Sequence, residues 1–236
     1  MKTRFIATAF LIGAAISQIF PSDCQAQSVP QVIQGMQARW ARINDASAVI
    51  EIQTWKKSEG DKVSVFYGQI YYHAPKLIRL EYSPAPDSAS GTHSEHPTLY
   101  PFGENKYIYI HDGRTLLRYS PSQKQWLDQY GSDPVISMVN QIADINNFNV
   151  DRFLSIYEVA DVRSDNSLGI PTYILRAEPK NPRGPNPRQL MWIHAQTYLP
   201  VEAIMAKADN EVSAFFHKIK QNVNLPMDIF STKWKK

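Results

Sequence analysis

The sequence predicts a mostly β domain of the α+β class, an antiparallel sheet with two short helices packed on it. Three observations carry this. Stretches such as Ala48-Val49-Ile50-Glu51-Ile52-Gln53-Thr54-Trp55 alternate apolar and polar residues with the two-residue period of a half-buried strand. Turn-forming residues recur between such stretches at short intervals, as at 58–61, Asp112-Gly113, Asp165-Asn166 and Asp209-Asn210, which leaves no room for the crossover helices of a parallel sheet. Helical periodicity is confined to two segments, 29–43 and 133–145.

The chain opens with a targeting pattern. Lys2 and Arg4 precede a short apolar run from Phe5 to Ile16, and Cys24-Gln25-Ala26 offers small residues at the positions a signal peptidase reads. Residues 1–26 are therefore expected to be a cleaved signal peptide, with 27–236 forming one domain. A lipid-anchor signal wants a small residue before its cysteine, and Asp23 precedes Cys24. Cleavage after Ala26 removes the one cysteine, so neither a disulfide nor thiol chemistry is expected. The formal charge of +3 is too mild to point to nucleic acid.

The first helix is set by Ser28 and Gln31 as a capping box with Pro30 in the first turn, and by Val32, Ile33, Met36, Trp40 and Ile43 on one face. Strands follow. Val63–Tyr72 contains Gly68, which suggests a bend or bulge, Pro75 breaks the run, and Leu77–Tyr82 resumes it. Residues 83–105 read as a long loop. Lys106–Ile110 and Thr115–Tyr119 form a hairpin across Asp112-Gly113. Asp133 and Pro134 open the second helix, whose face carries Val135, Met138, Val139, Ile142 and Ile145. Leu154–Val162, Pro171–Glu178, Gln189–Tyr198, Val201–Lys207 and Val212–Lys220 complete an antiparallel meander.

Reactive constellations are missing from the sequence. There is no Gly-x-Ser-x-Gly elbow, no phosphate-cradling glycine loop and no dinucleotide fingerprint. Of six histidines only His93 and His96 are closely spaced, in a polar loop without further ligands nearby, so no metal site is expected. The chain reads as a non-enzyme without a cofactor. Its most informative pattern is apolar: Ile50, Ile52, Phe66, Ile70, Tyr72, Ile78, Leu80 and Tyr82 each fall on one parity of their strands. An ordinary core face beneath the helices has the same pattern. A core and a cavity differ only in unfilled volume, which a sequence does not report.

Gly68-Gln69-Ile70 leading to Pro75, then Leu77-Ile78-Arg79-Leu80-Glu81-Tyr82, then Ile108 to Pro121 through His111-Asp112-Gly113-Arg114, Asp133-Pro134 and a late Pro179-Lys180 follow one another in a familiar order. In this the chain resembles the periplasmic outer-membrane lipoprotein carrier family, LolA-like, over almost all of its length after the signal. The resemblance implies a curved, incomplete antiparallel β-barrel capped by short helices. It implies a periplasmic, monomeric carrier that holds lipoprotein acyl chains and passes them from an inner-membrane exporter to an outer-membrane acceptor. On this basis the eight residues above are the expected lipid-binding face, and Met36, Trp40, Val135, Val139 and Ile142 the expected lid. The alternative is a same-fold binder or sensor of another envelope amphiphile. Ala74 stands before Pro75 where many carriers have an arginine, and Arg79, on the parity opposite Ile78 and Leu80, is expected to point out of the cavity.

Overall fold

The apolar alternation runs through eleven strands that hydrogen-bond into one sheet. The computed structural model describes residues 27–56, 62–84, 107–112, 115–120, 123–128, 150–166, 168–184 and 186–232. In chain order these are helix α1 (Val29–Trp40), strands β1 (Asp45–Lys56), β2 (Lys62–His73), β3 (Leu77–Pro84), β4 (Tyr107–Asp112), β5 (Leu116–Ser120) and β6 (Gln125–Asp128), helix α2 (Val150–Ile156), and strands β7 (Tyr157–Asp165), β8 (Thr172–Pro179), β9 (Arg188–His194), β10 (Pro200–Lys207) and β11 (Asn210–Gln221). A 3-10 turn, Met227–Phe230, follows β11.

The spatial order is β6-β5-β4-β3-β2-β1-β11-β10-β9-β8-β7, antiparallel at every step. The chain meanders outward from β1 to β6, then returns through β7 to β11, which pairs with β1. The sheet is curved and open: β6 and β7 lie at opposite ends of the order and do not pair. Because directly opposed residues share a face, the register assigns every strand residue to one of two sides. Ala46, Ala48, Ile50 and Ile52 stand opposite Tyr72, Ile70, Gly68 and Phe66, and these continue into Ile78, Leu80 and Tyr82. This is the inner face, which also bears α1.

Helix α1 begins as its sequence dictates, with the Gln31 side chain accepting the Ser28 backbone N–H at 2.8 Å. It ends at Trp40, so Ile43 lies beyond the helix, its N–H bonded to the Trp40 carbonyl. Val32, Ile33 and Met36 pack on Tyr173, Leu175, Met191 and Ile193. A second cluster holds Ile50, Ile52, Ile78, Leu80 and Tyr109 against β11 and β10. The inner face thus carries two apolar clusters, one on each half of the sheet, with Trp40 and Phe216 packed against both.

Several local expectations are corrected. Gly68 makes no bulge, since β2 runs unbroken and in register with both neighbours. A Cβ there would lie 2.2 Å from the Glu81 carbonyl oxygen, so the glycine admits close approach of β3. Residues 154–156, read as strand, end helix α2, and the strand starts at Tyr157. The strand at 189–198 stops at His194, where residues 195–197 turn. Strand β6 was not foreseen. The second expected helix, 133–145, and most of the 83–105 loop lie outside the described residues.

Candidate functional site

Where the two clusters meet, the inner face leaves an unfilled cavity. About 600 Å³ of space, part of it continuous with solvent, is bounded by Trp40 from α1, Ala46 and Ala48 from β1, Ile70 and Tyr72 from β2, and residues of β9, β10 and β11 including Met191, Ala203, Phe216 and Ile219. The cause is in the sequence. β1 is inward-facing Ala46, Ala48, Ile50, Ile52, so its first half presents methyl groups where its second presents full isoleucines. Beyond β11, β10 again offers a small inward residue among the lining, Ala203, paired with Ala214. Small side chains on central strands leave room that the surrounding aromatics do not fill.

One wall belongs to α1. Trp40 meets Tyr72 edge-on, ring centroids 5.8 Å apart at 84°. Its indole Nε1 is buried without a hydrogen-bond partner among the described residues. Further up the helix, Gly35 lies against the Tyr198 ring, and a Cβ there would come within 2.3 Å of it. Tyr198 has φ 55°, a left-handed backbone that a non-glycine residue adopts at a cost. Its ring stacks on Tyr173 and its hydroxyl bonds the Gln27 side chain at 3.1 Å. The strained residue is therefore held where it seats α1.

The other end of α1 is tied to the strand leaving the sheet. Arg39 Nη2 donates to Gln221 Oε1. Asn222 binds both sides of the α1–β1 turn, accepting from the Asn44 backbone N–H at 2.8 Å and donating to the Arg42 carbonyl at 3.1 Å. The Asp45 carboxylate accepts the backbone N–H groups of Val223 at 2.7 Å and Asn224 at 3.1 Å. These bonds fix the α1–β1 turn to the end of β11.

The expected lipid-binding residues divide. Ile70 and Tyr72 line the cavity. Ile50, Ile52, Ile78 and Leu80 are fully buried in the neighbouring cluster and do not border it. Tyr82 is buried between Tyr107 and Tyr109, stacked on both at 5.2 and 5.8 Å, with Phe66 edge-on. Of the expected lid, Trp40 borders the cavity. Met36 is fully buried on the other half of the sheet, in the Tyr173 and Met191 cluster. Val135, Val139 and Ile142 lie outside the described residues. The residues missed, Ala46, Ala48, Ala203, Phe216 and Ile219, had one legible signal: alanines at inward parity in central strands.

Arg79 lies on the outer face. It forms an ion pair with Glu81 (2.5 Å) and donates from Nη1 to the Ile229 carbonyl at 2.6 Å, which holds the 3-10 turn on β3. The outer face also buries Glu202, whose carboxyl is pushed up to about 7, first by burial and then by the charge of Asp165. Burial lowers the pKa of His217 nearby. No group of three or more His, Cys, Asp or Glu suited to a metal occurs among the described residues, and no helix among them is long and apolar enough to cross a membrane.

No family model matches the chain, and no curated protein does. Among solved structures it is similar to a DUF1329 family protein from Desulfovibrio piger, at 14% identity over 86% of this chain and 97% of that one, with a TM-score of 0.44. It is similar to a LolA superfamily protein from Nitrosomonas europaea, at 13% identity over 87% and 98%, TM-score 0.43. It is also similar to the Mycobacterium tuberculosis lipoprotein LppX, at 12% identity over 84% and 100%, TM-score 0.43. The fold itself is an open antiparallel sheet carrying a helix on its inner face.

Proposed function

We propose that this protein is an extracytoplasmic lipid-binding protein that takes acyl chains of lipoproteins into the cavity beneath α1, and that it carries them from the inner to the outer membrane. The observation that carries the reading is the unfilled, apolar-walled space at the meeting of the two clusters, with one wall supplied by a helix. Each methylene sheltered there is worth about 0.8 kcal/mol, which is why an acyl chain crossing water needs such a shelter. The motif order of residues 68–82 and 108–121 supports the carrier part, and the targeting pattern at 1–26 supports the compartment.

Titration with a fluorescent fatty acid, then displacement by a triacylated lipopeptide, tests binding. Ala203→Phe places a ring in the cavity and is expected to lower affinity at least tenfold while the protein stays folded by circular dichroism. Unchanged affinity in a folded Ala203→Phe protein would refute the site. Transfer of a labelled lipoprotein between inner- and outer-membrane vesicles tests the carrier role, and tight binding with no transfer would refute it.

A further inference from the structure

The cavity wall is apolar, but its rim is not neutral. Gln221 is the β11 partner of Ala46, which lines the cavity, and Gln221 is the residue that Arg39 bonds. Arg39 directly precedes Trp40 on α1, and Ile219, another lining residue, is two positions from Gln221. Arg39 and Gln221 do not themselves line the cavity, but they adjoin its lining residues Trp40, Ala46 and Ile219. Arg39 is half-buried, makes no ion pair among the described residues, and its Nε is buried with no hydrogen-bond partner. A neutral glutamine oxygen satisfies one corner of a five-donor fork. The nearest carboxylate in sequence, Asp45, is engaged by the Val223 and Asn224 backbone.

The sheet sharpens this. Every acidic side chain described on a strand, Glu51, Glu81, Glu202 and Glu211 among them, alternates to the outer face. Helix α1 contains no acidic residue at all. The inner face is thus free of described carboxylates around a cation that has no counter-ion among the described residues. An arginine kept half-dry without an anion is costly unless an anion arrives from outside. At a helix C-terminus the cation also has a local electrostatic role, which explains its presence but not the buried Nε without a partner among the described residues.

We propose that Arg39 is the head-group site of the cavity, and that the preferred ligand class is an anionic amphiphile, with a carboxylate or phosphate at Arg39 and its chain between Trp40, Ile70 and Tyr72. This rests on the cavity reading above and names the chemistry of its occupant. The guanidinium accepts a planar oxyanion bidentately and releases Gln221 as it does so. No bond is made or broken covalently.

The test compares ligands of one chain length on the full chain after signal removal: dodecanoate, dodecyl phosphate and dodecanol, with inorganic phosphate as a chainless control. A charge-assisted hydrogen bond at a half-buried site corresponds to roughly a 10- to 100-fold preference for the two anions over the alcohol. Arg39→Gln is expected to abolish that preference and leave dodecanol affinity within about twofold of wild type. Arg39→Lys, which keeps the charge, is expected to retain part of it and guards against a folding failure of the first variant. Gln221→Leu is expected to keep the preference or raise it. Equal wild-type affinity for dodecanol and dodecanoate overturns the head-group site while leaving the cavity standing. An anion preference that survives in folded Arg39→Gln does the same. Inorganic phosphate binding as tightly as dodecyl phosphate would make this an oxyanion site and overturn the amphiphile. Failure of all three chains to bind removes the cavity reading as well.

Discussion

Replacing Trp40 separates what this side chain contributes by packing from what it costs by burying an N–H. A fully buried tryptophan cut to alanine costs about 3–5 kcal/mol. Trp40 is half-buried and faces a cavity on one side, so it has fewer partners to lose. Its edge-on contact with Tyr72 contributes roughly 0.5–1.5 kcal/mol. Against this stands the buried Nε1 without an acceptor, a desolvation penalty on the order of 1 kcal/mol that disappears with the indole. Trp40→Ala should therefore destabilise by only about 2 kcal/mol. Trp40→Phe keeps the ring contact, discards the orphan donor and should fall within about 1 kcal/mol of wild type. Urea unfolding followed by far-UV circular dichroism, with equal m-values, reads both. If phenylalanine costs 2 kcal/mol or more, the indole N–H is bonded in solution and the reasoning fails. Trp40→Ala should in addition widen the cavity and raise affinity for bulkier fluorescent chains.

Gly68→Ala drives a Cβ into the Glu81 carbonyl and Tyr82 Cβ, at 2.2 and 2.7 Å, and backbone cannot yield as a side chain can. A loss of about 2–3 kcal/mol is expected in the same urea assay, and a near-neutral result would mean that β2 and β3 are further apart than described. Arg79→Leu removes the Glu81 ion pair and the bond to Ile229, and should cost about 2 kcal/mol while leaving fatty-acid affinity unchanged; altered retention of the chain would place Arg79 in the gate. Glu202 has a pKa raised from 4.5 to about 7, so between those values the unfolded chain has lost a proton that the folded one keeps. Stability should fall as pH rises from about 4.5 to 7, by up to about 3 kcal/mol, and level off above. Glu202→Gln should remove that decline, which urea titrations at several pH values would show; an identical decline in the variant would assign it to another group.

The sheet was legible because its strands keep a strict two-residue alternation, and the antiparallel order because turn residues punctuate it. Helix α1 was legible from Ser28, Gln31 and Pro30, and the outward Arg79 from parity alone. The site was legible only by halves. Parity sorts Ile50, Ile78 and Leu80 onto the inner face with Ile70 and Tyr72, but it cannot say which of them touch one another and which border a void. That depends on which residues of β9 to β11 lie across from β1, a register set by the Ser47/Val49 irregularity opposite β11, where Lys218 takes a φ of 50°. Helix α2 was missed because Val150–Ile156 is too short for its period to stand out from a strand of similar length.

The pairing of β1 with β11 has a kinetic consequence. Within β1–β6 and within β7–β11 each strand bonds its neighbour in sequence, so both halves are built from contacts more local than that of Ala46 with Gln221, which spans most of the chain. Loop closure makes such a contact the entropically dearest to form. The two meanders are thus expected to form early and to join late, with the cavity appearing only at the joining step. A ligand that spans the junction would then act on folding as well as on binding: it would slow separation of the halves, and an amphiphile present during refolding would be captured at the moment its site comes into existence.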